Sequence, residues 1–269
     1  MKSLMDTDRQ PSLASSLRLD GRVAVVLGGT TGIGRALSLG LADAGADVVP
    51  SARRLEPIAE VASEIERRKR RSLRVPSDVG QRASLEALLD ETVRALGKVD
   101  ILINCAGKTK RRPSLEVPEE EWNDILDTNL TGTFRACQVF GRHMLERGYG
   151  RIVNVASISS FVALYEVTAY SASKAAVASL TKSLAIEWGA RGVTVNAIAP
   201  GVFRTELNRD LLDGTERGRE FLVRNPMKRF GKVEELSGAA VFLASDAASY
   251  INGEILAVDG GFLASGVNQ

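Results

Sequence analysis

The stretch RVAVVLGGTTGIGRAL at 22–37 runs an apolar, β-branched strand directly into a glycine-rich turn and the first turns of an amphipathic helix. That succession decides the fold class. Outward from it, short β-branched runs at 46–51, 72–76, 99–104, 150–157, 192–199 and 254–259 alternate with helical patterns at 33–44, 55–70, 81–97, 119–147, 169–190 and 233–245. Repeated βαβ units of this kind bury a parallel sheet between two helical layers. The expectation is a Rossmann-type, doubly wound α/β fold: a seven-stranded parallel sheet in a three-layer α/β/α sandwich. A single domain spans 21–269 behind a loosely packed arm at 1–20, and 201–231, a long connection without a strand, folds over something.

Composition narrows the function. The 269 residues carry 35 Lys plus Arg against 33 Asp plus Glu, a net charge of +2, which argues against a nucleic-acid partner held by overall charge. The run RRKRR at 67–71 complements the dipole at the end of its helix. No apolar run approaches a bilayer span, and the first residues lack a signal-peptide core, so no membrane partner and a cytoplasmic location are expected. Cys105 and Cys137 stand 32 apart without a C-x-x-C, and the single His143 has no second ligand near it. Disulfide frameworks, metal sites and Ser-His-Asp triads are set aside.

The glycines of L-G-G-T-T-G-I-G follow the spacing G-x-x-x-G-x-G, with Gly28, Gly32 and Gly34 around Thr30, Thr31 and Ile33. Such a turn lets a backbone approach a pyrophosphate, whose charge is favoured at a helix N-terminus. The second strand ends Ser51-Ala52-Arg53-Arg54, where an NAD site would place a carboxylate. Arg53, with Arg54 beside it, favours a 2′-phosphate, hence NADP(H) over NAD(H). Tyr170 and Lys174, four apart in Y-S-A-S-K, share one helix face. A phenol with a nearby ammonium is a candidate proton carrier, its pKa lowered by that charge, and Ser157 offers a hydroxyl to a carbonyl oxygen.

Together these residues make the chain resemble the short-chain dehydrogenase/reductase family, in its single-domain branch, over roughly 19–265. The resemblance implies a catalytic tetrad of Asn129, Ser157, Tyr170 and Lys174. It implies cofactor contacts at the glycine turn, at Asp78 and Val79, at Asn104, Ala106 and Gly107, and at Pro200, Gly201, Val202 and Thr205. Leu27 and Cys105 depart from the family pattern, which has Thr and Asn there. Within the family, 228–236 and 252–263 look most like sugar-acid and polyol dehydrogenases of the gluconate type, with 3-oxoacyl-thioester or general carbonyl reduction as the alternative. The helix 119–147 and the segment 254–264 resemble surfaces through which the family pairs subunits, implying a homotetramer. In the basic run 108–112, which follows the N-C-A-G strand end, Arg111 could grip a substrate carboxylate bidentately. A cofactor-sensing binding protein is the non-enzyme alternative, which an intact tetrad disfavours.

Overall fold

The computed structural model describes residues 12–205 and 208–266. Residues 1–11 of the expected arm, 206–207 of the long connection and 267–269 lie outside the described residues. In chain order the elements are α1 (Leu13–Ser16), β1 (Val23–Leu27), α2 (Gly32–Asp43), β2 (Asp47–Ser51), α3 (Leu55–Arg67), α4 (Arg82–Leu96), β3 (Ile101–Asn104), α5 (Glu119–Leu126), α6 (Gly132–Arg147), β4 (Gly150–Val155), α7 (Thr168–Trp188), β5 (Val193–Pro200), α8 (Arg209–Leu212), α9 (Glu216–Arg224), α10 (Ser237–Ala244) and β6 (Ile255–Val258). All described pairings are parallel, in the order β2-β1-β3-β4-β5-β6. From β1 the chain adds β2 on one side and then returns to place β3 on the other. That reversal opens a crevice beyond the carboxyl ends of β1 and β3.

Alternation along each strand sends side chains to the two faces. Ala24, Val26, Ile101, Ile103 and Val153 pack with Leu37 and Leu41 of α2, Val61 and Ile65 of α3, and Leu243 of α10. Val23, Val25, Leu27, Leu102, Ile152 and Val195 pack with Leu85 and Leu88 of α4, Phe140 and Met144 of α6, and Leu184 of α7. Burial on both faces explains why the central strands read as unbroken apolar runs.

Among the described residues the sheet has six strands, not the seven expected from sequence. The segment 72–76 does run beside β2: Val48 N donates to Arg71 O, Ser72 Oγ to Val48 O, and Ser51 Oγ to Val75 O. Two residues beyond Val48, where the ladder needs its next donor, β2 has Pro50, whose nitrogen carries no proton. Serine hydroxyls therefore hold the segment in place of a backbone ladder. The expected helix 119–147 is also interrupted, by a π-helical turn at Asp127–Thr131 between α5 and α6. The RRKRR segment is absorbed by ion pairs, Arg68–Asp43, Arg70–Asp20 and Arg71–Asp47.

At the opposite edge from the crevice, Asp100 is 1% exposed. It accepts from Val23 N at 3.0 Å and meets Lys98 Nζ at 2.8 Å and Arg147 Nη2 at 3.5 Å. Removing it strands the buried Val23 N–H, which costs about 1–3 kcal/mol. Asp100→Ala is therefore expected to lower unfolding free energy by about 2 kcal/mol, measured by urea denaturation. An unchanged midpoint would show that the carboxylate carries no such burden.

Candidate active site

The crevice floor is backbone. Gly28, at φ +74°, lies so close to β3 that a Cβ there would sit 2.8 Å from Ala106 Cα and N, and a Cβ on Gly34 would fall 1.9 Å from Gly28 O. No larger residue fits at either position without moving a strand end or the helix. Thr31 enters α2 without a side-chain cap, so the amides of the first turn face the crevice unclaimed by any side chain. On the far wall, a Cβ on Gly201 would meet Asp259 Cα at 2.6 Å, and Thr205 places its Cγ2 3.4 Å from where a Gly32 Cβ would be. Thr205 therefore stands against the glycine turn, and Gly201, between Pro200 and Val202, packs against Asp259. At the β2 end, Arg53 and Arg54 are exposed and make no ion pair among the described residues. Asp78 lies beside this corner, its Oδ1 accepting from Gly80 N at 2.8 Å, and Val79 O accepts from Arg135. This cradle of small residues, free amides and unpaired guanidiniums fits a dinucleotide with an extra phosphate on its ribose.

The turn after β3 is held by a side chain. Asn129, wholly buried in the π-helical turn, accepts from Lys108 N at 2.9 Å and donates to Lys108 O at 2.9 Å and to Ser173 Oγ at 3.0 Å. The wider π turn brings this asparagine inward, as such turns do at functional sites. Gly107 lies in the same corner, with a Cβ position 3.3 Å from Asn129 Oδ1 and 3.6 Å from Lys174 Nζ. Below it, Asn104 Nδ2 donates to Asn154 Oδ1 at 2.8 Å, and Asn154 Nδ2 donates to Thr181 Oγ1 at 2.9 Å. This buried chain ties β3 to β4 and α7, and nothing in the one-dimensional pattern announced it.

Ser157, Tyr170 and Lys174 converge on the crevice. Ser157 follows β4 and its Oγ accepts from Ser159 N at 3.1 Å. Burial holds the Tyr170 phenol above its ordinary pKa, and the neighbouring Ser157 hydroxyl offsets this only in part. The lowering by Lys174 expected from the sequence is not what sets the phenol, because the lysine is otherwise engaged. Its ammonium donates to Val155 O at 2.7 Å and lies 5.8 Å from the Tyr170 ring centroid. Burial lowers the Lys174 pKa from 10.5 to about 8. Cys105, where the family pattern has Asn, is pushed up to about 11 by burial, with the Lys174 charge opposing. It is therefore a neutral thiol. Arg111 stands at the rim, its Nε 2.6 Å from Glu166 Oε2. His143 lies away from the crevice on α6 and accepts from Val99 N at 3.2 Å.

The matches to known proteins agree with this geometry. Residues 28–263 match the family model described as enoyl-(acyl carrier protein) reductase. The chain is 42% identical over 253 residues to the 2-dehydro-3-deoxy-D-gluconate 5-dehydrogenase of Bacillus subtilis (strain 168), covering 93% of this chain and 98% of that protein. It is 41% identical over 258 residues to the D-threitol dehydrogenase of Mycolicibacterium smegmatis (strain ATCC 700084 / mc(2)155), covering 96% and 99%. Among solved structures, a gluconate 5-dehydrogenase from Burkholderia cenocepacia J2315, in complex with NADP and tartrate, matches with a TM-score of 0.91 and 38% identity over 95% of this chain and 100% of that one.

Burial of Lys174 makes a prediction of definite sign. Its folded pKa, about 8, lies below the 10.5 of an unfolded lysine. Below pH 8 both states bind the proton and the folded state bears the full cost of a buried ammonium. Between about 8 and 10.5 the unfolded chain holds more protons, so this contribution to stability rises with pH. Wild type should thus gain about 2 kcal/mol on Lys174→Met between pH 7 and 10, read from paired denaturation curves. A difference independent of pH would contradict the assignment.

Proposed function

We propose that this chain, which belongs to the short-chain dehydrogenase/reductase family and is an NAD(P)-dependent oxidoreductase acting on alcohol groups, uses NADP(H) to interconvert a sugar acid or polyol with its keto form, as a gluconate 5-dehydrogenase-like enzyme. The observation that carries this reading is the convergence of Ser157, Tyr170 and Lys174 beside a crevice whose ribose corner presents two unpaired arginines. The relatives add the substrate class, since two of those named act on a sugar acid and one on a polyol.

When bound, the nicotinamide supplies or accepts the hydride at the substrate's carbonyl carbon. The rest belongs to the chain's own side chains. Ser157 donates its hydroxyl to the carbonyl oxygen and fixes its direction. Tyr170, next to Ser157 and neutral at physiological pH, hands its phenolic proton to that oxygen as the alcohol forms. Lys174, held by Val155 O, keeps a cation beside the phenol as the proton leaves. Asn129 fixes the turn that presents Gly107 and Lys108. At the far end Arg53, with Arg54, meets the 2′-phosphate, a charge-assisted contact worth about 1.5–3 kcal/mol. At the substrate end Arg111 meets an acid's carboxylate. The same reading places the enzyme in the cytoplasm, in keeping with two free thiols, as a homotetramer paired through α5–α6 and residues 254–264.

Two measurements test it. Wild type is expected to oxidise NADPH in the presence of 5-ketogluconate, and Tyr170→Phe to bind NADPH normally while losing about a hundredfold or more in kcat. A phenylalanine variant with more than about a tenth of wild-type turnover would remove Tyr170 from the proton step. For the cofactor, Ala52→Asp with Arg53→Ala should cut the NADPH-over-NADH ratio of kcat/KM by about ten- to hundredfold. Equal use of both cofactors by wild type would refute the arginine assignment.

A further inference from the structure

The rim of the substrate cleft carries more positive charge than its own acids balance. Within the run that follows β3, Lys110 and Arg112 share Glu121 at 2.7 Å and 3.1 Å, and Lys108 pairs with Asp124. Arg111 is committed to Glu166. In the segment that folds across the cleft, Arg204 pairs with Asp213, Arg209 with Asp210 and Arg224 with Glu220. Arg217 of α9 differs. No ion pair among the described residues involves it, although it is half-buried.

Its surroundings hold it in place. The guanidinium lies 5.4 Å from the centroid of the Phe221 ring, and Nη1 donates to Tyr165 O at 3.2 Å. Phe221 packs on Phe262 at 6.3 Å, which ties α9 to the C-terminal segment. Burial lowers the Arg217 pKa most, the positive charge of Arg111 lowers it further, and the negative charges of Glu166 and Glu220 act the other way. Glu166 itself stands at φ +62°, its carbonyl accepting from Arg112 N at 2.8 Å, four residues before Tyr170. Two guanidiniums from different segments thus meet the chain at adjacent residues, Arg217 on Tyr165 O and Arg111 on the Glu166 carboxylate.

We propose that Arg217 is a specificity-determining residue: with Arg111 it forms a two-guanidinium clamp for the carboxylate of an acid substrate, and Glu166 is the resident counter-ion that the clamp releases when that carboxylate arrives. This rests on the sugar-acid reading above. A neutral polyol gains nothing from the clamp, whereas an acid supplies the second negative charge that two cations call for. Of the two cations that meet Tyr165 and Glu166, Arg111 already holds a carboxylate and Arg217 holds only a backbone carbonyl, so Arg217 is the one of the pair left to be answered by substrate.

The test compares 5-ketogluconate with a neutral ketose, and measures binding of tartrate to the NADP complex by calorimetry. Arg217→Met retains an apolar stem over Phe221 and should lower the acid-to-neutral ratio of kcat/KM by about tenfold or more, weakening tartrate to match. Arg217→Lys, which keeps charge without the fork, should fall between. Glu166→Gln removes the competitor and should lower KM for the acid about threefold or more while tightening tartrate. A fall of equal size on both substrates, or no change in the ratio, would reduce Arg217 to a structural role and overturn the proposal while leaving the sugar-acid reading intact. Wild-type activity confined to the neutral ketose would overturn both.

Discussion

Three backbone segments meet within van der Waals distance at the carboxyl end of β1, and the rest of the molecule is arranged around that approach. Gly28 lies against Ala106, and Gly34 against Gly28 O, with no room for a Cβ at either glycine. The contact exists because strand order reverses at β1, leaving its end flanked by β2 and β3 with helices leaving toward opposite faces. Bare amides collect there, and the same absence of side chains that makes the turn tight makes it receptive to phosphate. The hydrophobic clusters on the two faces of the sheet hold the strands rigidly enough for this proximity to be kept.

Buried polar side chains then determine how the strand ends are aimed. The run Asn104–Asn154–Thr181 crosses from β3 through β4 to α7, and Asn129 closes the turn that follows β3. Each link is a neutral hydrogen bond of modest net value, but leaving one member unmatched in the interior would be costly. That asymmetry favours one geometry over nearby alternatives. Lys174 belongs to the same logic: its charge is tolerated in the interior because Val155 O accepts from it.

What could be read from the chain beforehand follows a physical line. Period and punctuation located every strand that is buried on both faces, because burial forces those residues to be apolar regardless of their neighbours. The segment 72–76 carries a β-branched residue at the expected spacing but failed as a strand, because Pro50 of β2 withholds the donor a ladder needs. The break between α5 and α6 was equally hidden, since a π turn has no compositional mark and D-T-N-L continues the helical pattern. Tyr170 and Lys174 were legible as an i,i+4 pair. Their electrostatics were not, because the direction of each shift depends on burial and on Val155 O, neither of which is local in sequence. Arg111 could be placed at the cleft from its position after β3, but its partner Glu166 is 55 residues away in sequence.

The distribution of charge separates what is permanent at this site from what is conditional. The groups given catalytic roles in the proposed reaction sit at a strand end, in the π turn and on the long helix α7, and several of their polar atoms are matched within the protein. Asn129 has its three hydrogen bonds, and Lys174 its carbonyl. The exposed or half-buried guanidiniums at the two ends of the cleft, Arg53 and Arg54 at the ribose corner and Arg217 on α9, lack carboxylate partners among the described residues. A cation left unmatched at the rim costs little while water reaches it, yet it strengthens as the cleft closes and the local dielectric falls. Anionic groups on the cofactor and on an acid substrate therefore complete a charge pattern that the fold leaves open at its two ends. The central proton-transfer machinery needs neither of them in order to be assembled.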